Sequence, residues 1–228
     1  MKLVAAESLE AGDLEVVRGI YEDGFPPHLR ASFSSLLVDR AFVLVDDTPI
    51  GFAVLRPLAS TGWVFLRYFV AGSRGRGVGS LLWSHLTGAM GEAGFTRMVH
   101  DVEDPAEPGV DAAEVVVRNR RISFYERNGA LLLPVESYLP PHDDEEPHSL
   151  RLMAADLNRS PTQPITGTNL RALVEAVYEH RYGLSPSDPV VRRTLVSSGL
   201  VQTVARASSS ELENGGGDGD TGLGMGGV

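Results

Sequence analysis

The sequence predicts an α+β protein: a mixed, mostly antiparallel sheet flanked by helices, followed by a helical C-terminal extension. Three observations lead there. Short apolar runs separated by turn residues dominate the first half of the chain. A helix with strong 3.6-residue periodicity interrupts them at Val78–Ala93. A second apolar-faced helical stretch returns beyond residues 156–167, where Pro161, Pro164 and Gly167 break any regular element.

The elements follow in order. Lys2–Ala6 is a short opening strand, and Leu14, Val17, Ile20 and Tyr21 recur at helical spacing with Asp13 as a cap. Pro26–Pro27 ends that helix, and His28–Leu37 reads as a second, shorter one. Ala41–Val45 and Ile50–Leu55 flank Asp46-Asp47-Thr48-Pro49, a hairpin signature, and Trp63–Val70 supplies a third meander strand. After the turn Ala71–Gly77 comes the strong helix, with Val78, Leu81, Leu82, His85, Leu86, Met90 and Ala93 on one face and Gly94 as its stop. Thr96–Val102 is a strand. A loop covers 103–113, and a helix then runs to Asn128, closed by Gly129. Ala130–Val135 and Ser149–Met153 are the last strands, joined by an acidic loop. The resulting order is β, α, α, β, β, β, α, β, α, β, β, in a domain spanning residues 1–154.

Residues 155–167 read as a linker, 168–206 as a helical extension, and 207–228 as a Gly-rich, disordered tail. Leu170, Leu173, Val174, Val177 and Tyr178 share one face of the first extension helix. A second helix starts at Ser187-Asp188-Pro189 and uses Val191 and Leu195. So long an apolar face must dock on the domain, on a partner, or on a second copy as a homodimer formed through the C-terminal helices.

Composition removes several function classes. Thirty acidic against 20 basic residues, a net charge of −10, argue against nucleic-acid or anionic-membrane partners. The absence of cysteine excludes disulfides, thiolate metal sites and a cysteine nucleophile. Lys2 is the single lysine, so Schiff-base chemistry has no candidate. No apolar run reaches membrane length, and Met1–Glu10 lacks the apolar segment of a signal peptide, which leads to the expectation of a cytoplasmic protein with no membrane partner.

The chemistry concentrates in Arg74-Gly75-Arg76-Gly77-Val78-Gly79-Ser80, after a strand and at the start of a helix. Glycines let backbone approach a ligand, and a helix N-terminus presents unpaired N–H groups, a combination suited to a pyrophosphate. A dinucleotide fingerprint would need Gly at position 80, where Ser stands, and would follow the first strand of its domain; a Walker loop would need Gly-Lys-Ser/Thr, which is absent. What fits is Arg-x-x-Gly-x-Gly, with Arg74, Gly77 and Gly79. That pattern, late in an antiparallel meander, resembles the GNAT superfamily of acyl-CoA-dependent acyltransferases. Asn119-Arg-Arg-Ile-Ser-Phe-Tyr-Glu-Arg-Asn-Gly129 is similar to the family's C-terminal motif, with Ala130 standing where many relatives have phenylalanine. The resemblance covers residues 1–154 and leaves the extension outside.

The resemblance implies acetyl-CoA as co-substrate and no metal. Its pantetheine arm would pair with backbone of Phe69 and Val70, where the fourth and fifth strands splay. Its pyrophosphate would rest on the N–H groups of Gly75, Arg76, Gly77, Val78, Gly79 and Ser80, with charge from Arg74 and Arg76; Asn119, opening the second motif, is placed with these cofactor-binding residues. Tyr125 is the candidate general acid toward the leaving sulfur, since thiol and phenol titrate near ~8.5 and ~10. The base is a second catalytic role. Trp63 stands where many relatives place a glutamate, so the expectation moves to His100-Asp101-Val102-Glu103-Asp104, with Glu103 first and Asp101 and His100 after it. Alternation puts Asp101 and Glu103 on one face and His100 on the other.

The implied activity is acetyl transfer from acetyl-CoA to a primary amine of a small molecule, by direct attack in a ternary complex. A non-catalytic acyl-CoA sensor of the same fold, a protein N-acetyltransferase and, third, a dinucleotide enzyme are the alternatives. Glu22, Asp23, Asp101, Glu103 and Asp143–Glu146 could form an acidic rim that attracts a cationic amine, and His142 and His148 flank that acidic loop.

Overall fold

The computed structural model describes residues 1–25, 27, 30–73, 75–141, 148–158 and 162–201. Expectations that fall on Arg74, His142, Asp143–Glu146 and the tail 207–228 lie outside the described residues.

Seven strands and six α-helices are present among the described residues: β1 (Lys2–Ala5), α1 (Ala11–Gly24), α2 (Phe33–Leu36), β2 (Arg40–Asp46), β3 (Thr48–Pro57), β4 (Trp63–Ala71), α3 (Val78–Glu92), β5 (Arg97–Glu103), α4 (Ala112–Arg127), β6 (Leu131–Leu132), β7 (Leu150–Asp156), α5 (Gly167–Tyr182) and α6 (Pro189–Ser197). This is the mixed α+β architecture and the element order read from the sequence. Two boundaries differ. The second helix is a single turn, Phe33–Leu36, and residues 30–32 before it are not helical, while His28 lies outside the described residues. β6 pairs over two residues only, because Pro134 has no N–H for the ladder and Leu133 makes the last bond, to the Leu152 carbonyl at 2.8 Å.

The sheet order is β1-β2-β3-β4-β5-β7-β6. Neighbours are antiparallel except β4 and β5, which run parallel and pair only from Trp63↔Arg97 to Phe65↔Val99. Beyond that point β4 follows β3 as far as Gly51↔Ala71, while β5 follows β7 as far as Glu103↔Leu150. The sheet therefore opens into two arms. A bulge lies on β4 at the opening: Val54 pairs with Tyr68 and Leu55 with Leu66, leaving Arg67 as the extra residue.

Strand alternation sorts the core. Leu55, Leu66, Met98, Val102 and Met153 face α3 and α4, against Leu82, Trp83, Leu86 and Ile122. On the opposite face, Val43, Phe52 and Val54 meet Val17, Tyr21 and Leu36 of α1 and α2. On that same face, the second arm's Val99, Leu152 and Ala154 meet α5 and α6 through Leu173, Val177, Val191 and Leu195. The apolar faces of the extension thus dock on the chain's own sheet. The segment before α5 is tied down too: Thr162 Oγ1 donates to the Gly129 carbonyl at 2.6 Å and accepts from the Asp156 N–H at 3.0 Å. Asp188 caps α6 by accepting from the Val190 N–H at 2.8 Å, with Pro189 in the first turn, as the sequence implied.

Candidate active site

The gap between the arms has open backbone edges. From Leu66 onward β4 lacks a partner on its β5 side, and from His100 onward β5 lacks one on its β4 side. Unpaired strand edges are donors and acceptors for any extended, amide-bearing ligand. Phe69 and Val70 lie on this open stretch, bonded through β3 on their other edge.

At one end of the gap, β4 leads into the glycine loop. Gly75 and Gly77 have φ of +78° and +72°, and Gly77 caps α3 in the left-handed region that β-carbon-bearing residues avoid. Gly75, Arg76, Gly77 and Ser80 are exposed, and among the described residues no carbonyl accepts from the N–H groups between Gly75 and Ser80. Among the described residues the turn is therefore a row of N–H donors without a carbonyl acceptor, at the positive end of a 15-residue helix. Gly79 has a different role. A β-carbon there would stand 3.3 Å from the ring of Phe124, so the first turn of α3 packs directly on the second sequence motif.

Aromatic side chains floor the gap on the α3–α4 side. Tyr125 stacks with His100 at 4.1 Å and Trp83 at 5.2 Å between ring centroids, and Phe69 reaches it from the other arm at 6.1 Å. The Tyr125 hydroxyl has no hydrogen-bond partner among the described residues. Burial pushes its pKa up and outweighs the opposing pull of Arg121, with nearby Asp101 adding a lesser upward push, so the phenol stays protonated and keeps its O–H donor at neutral pH. His100 is 2% exposed with neither ring nitrogen hydrogen-bonded, and burial lowers its pKa to about 3. It is a neutral ring, with no capacity to hold a proton near pH 7. Asn119 is exposed on α4, and its side-chain amide donates to the Val115 carbonyl at 2.9 Å.

The two acids offered as alternative bases have different partners. Glu103 ion-pairs with Arg121 of α4. Asp101 faces α5, and its Oδ2 accepts from Tyr138 at 3.2 Å and from Tyr182, the last residue of α5. Burial, reinforced by neighbouring phenol and carboxylate charge, raises both phenols well above their ordinary pKa, so both remain donors. Oδ1 of Asp101 has no hydrogen-bond partner among the described residues. Tyr138 and Tyr182 were not singled out in the sequence. Glu22 and Asp23 are exposed on α1. His148 contacts Glu107 at 3.2 Å, and no group of His, Asp and Glu among the described residues is arranged to hold a metal. No helix among them is long and apolar enough to cross a membrane.

The profile of the family described as Acetyltransferase (GNAT) family matches residues 14–129, from α1 to the glycine that closes α4. No curated protein matches the chain. Among solved structures, a GNAT-family chain from Bacteroides thetaiotaomicron is similar at 20% identity and a TM-score of 0.59, covering 81% of this chain and 100% of that one. An aminoglycoside 6'-N-acetyltransferase complexed with coenzyme A is similar at 18% identity and a TM-score of 0.50, over 71% of this chain and 99% of the other. A GNAT-like decarboxylase in complex with isobutyryl-CoA matches at 18% identity and a TM-score of 0.52, over 69% and 100%.

Proposed function

Because the chain belongs to the GNAT acetyltransferase family, we propose that it transfers an acetyl group from acetyl-CoA to the primary amine of a small molecule, by direct attack while both are bound. The observation that carries this reading is the gap itself: open strand edges lead at one end to free N–H donors and pass over a protonated tyrosine. An elongated ligand with amides in its middle and a pyrophosphate at its end suits that sequence of groups. Two of the similar folds were solved with coenzyme A or an acyl-CoA, which supports the same class of ligand.

Acetyl-CoA, when bound, supplies the acyl group as a thioester. The chain's residues do the rest. The edges of β4 and the turn Gly75–Ser80 bind and orient the arm and pyrophosphate. An alkylammonium, with a pKa near ~10.4, must lose a proton before its nitrogen can attack. In this reading Asp101 accepts it, since its Oδ1 has no hydrogen-bond partner among the described residues, whereas the Glu103 carboxylate is held by Arg121. Tyr125 lies on the opposite side of β5 and donates toward the sulfur as the carbon–sulfur bond breaks and the carbon–nitrogen bond forms.

Calorimetry with acetyl-CoA and CoA is the direct test, and absence of binding at millimolar concentration would remove the reading. Tyr125→Phe keeps the ring stack and removes only the hydroxyl. It should leave acetyl-CoA affinity intact while kcat falls by ~10²–10⁴, the range of a lost general acid. An unchanged kcat would assign Tyr125 to packing alone.

A further inference from the structure

We propose that the acceptor is an amine that also carries a carboxylate, such as an amino acid, and that Arg181 of the C-terminal extension binds that carboxylate. The inference rests on the acyl-transfer reading and narrows its acceptor. The sheet face opposite α3 and α4 carries two separate apolar clusters, one under α1 and α2 and one under α5 and α6. Between them runs a polar seam. On it, Arg56 of β3 donates to Asp39 at 3.1 Å, and Arg67, the bulge residue, ion-pairs with the same carboxylate. Burial opposes ionisation of Asp39, yet the hydrogen bonds from these arginines prevail and hold its carboxyl below the ordinary range.

Arg181 is the third guanidinium of the seam and has no such partner. It stacks 5.9 Å from the centroid of Phe65 and 4.7 Å from that of Tyr182, its Nε is buried without a hydrogen bond, and among the described residues it forms no ion pair. Phe65 pairs with Arg56 on one side and Val99 on the other, at the last rung before the gap opens. Asp101 lies two residues beyond Val99 on the same face, held by the hydroxyl of Tyr182, the neighbour of Arg181. One end of α5 therefore brings an unpaired guanidinium and a phenol-bound carboxylate to the mouth of the same gap. A planar fork with free N–H groups, partly removed from water, is the protein group best matched to a carboxylate. A free oxygen of Asp101 beside it is matched to an ammonium. A ligand bearing both charges satisfies both partly buried residues without leaving either charge uncompensated.

The test compares L-amino acids with their own carboxamides as acceptors at saturating acetyl-CoA. Wild-type kcat/KM should favour the acid over its amide by about 10–100-fold, the value of a hydrogen bond to a charged group. Arg181→Gln should bring that ratio toward one, and Arg181→Lys, which keeps the charge but not the fork, should fall between. Calorimetry with the N-acetyl amino acids in the absence of CoA gives an independent reading, with affinity weakened about tenfold or more in Arg181→Gln. Equal rates on acid and amide, a preference that Arg181→Gln retains, or acetyl-CoA binding with no amino acid acetylated would each overturn the proposal. If acetyl-CoA does not bind but N-acetyl amino acids do so through Arg181, the anion site stands and the acyl-transfer reading alone falls.

Discussion

His100 and Asp101 are neighbours on β5, yet the side of the sheet that receives His100 is closed and aromatic, while the side that receives Asp101 is lined by hydroxyls and a guanidinium. On the first side an imidazole is kept neutral by burial, with no partner for either nitrogen. On the second, a carboxylate two residues past the last β4 pair holds two phenols and keeps one oxygen free. The difference follows from a strand's two-residue period, which sends consecutive side chains to opposite faces. Where the strand also borders an open gap, one short segment serves two chambers with opposed dielectric character. Apolar surroundings disfavour a charge, and polar ones stabilise it.

The comparison can be broken most directly at Asp101. Asp101→Asn keeps an acceptor for both phenols and removes the basic oxygen, so kcat/KM for the amine should fall by ~10²–10⁴ while acetyl-CoA affinity, set on the other side, holds. If Glu103→Gln gave that loss instead, proton removal would belong to the α4 side and the two chambers would not divide the work. A second cut is at the wall of the polar chamber. Leu173 of α5 is fully buried, and Leu173→Ala should cost ~2–5 kcal/mol in denaturant unfolding. By loosening Tyr182 it should also raise the KM for the acceptor more than the Kd for acetyl-CoA.

The reverse pattern is expected from the glycine turn. Gly77→Val forces a branched residue into positive φ at a strain of ~1–2 kcal/mol, and the effect should appear as weaker acetyl-CoA binding with acceptor saturation unaltered. A change of pH sharpens the contrast without touching either ligand. The folded-state pKa of His100, about 3, lies below its ordinary 6.5, so between these values the unfolded chain binds more protons than the folded one. Stability should therefore be full above pH 6.5 and fall as pH drops toward 3, with a slope of up to ~1.4 kcal/mol per unit. His100→Phe should remove that slope. Asp39 and Glu107, also held below their ordinary values, add acid sensitivity only at lower pH, beneath 3.8 and 4.5. An acid limb unchanged by His100→Phe would mean that the ring finds water in solution.

The sequence made one chamber legible and largely hid the other. The helical period of Val78–Met90, the glycines before it and the Tyr125 segment are contiguous patterns, and local backbone preference dictates what they form. Tyr125 and His100 meet because both elements present one face to one core. The polar chamber joins Asp39, Phe65, Asp101, Tyr138 and Arg181, residues scattered from α2 to α5, and no local rule brings them together. Glu103, the first choice for the base, has a partner that the sequence did not show. Alternation placed it beside Asp101, but it is the last residue of β5 and turns to Arg121. The one available signal was the apolar face of α5, which required docking and so carried Arg181 and Tyr182 to whichever surface received it.

The strand order also has a consequence in time. β4 belongs to an arm made from successive hairpins, in which Arg40 meets Leu55 and Gly51 meets Ala71. β5 finds its long partnership only with β7, where Arg97 meets Asp156, and α5 arrives later still. Contacts near in sequence close faster than distant ones. On a ribosome the first arm can therefore be complete while the second has yet to emerge. In refolding, pulse-labelled amide exchange should protect Phe52 and Phe69 before Val99 and Leu152. The gap is then a seam between an early-folding and a late-folding half of the sheet.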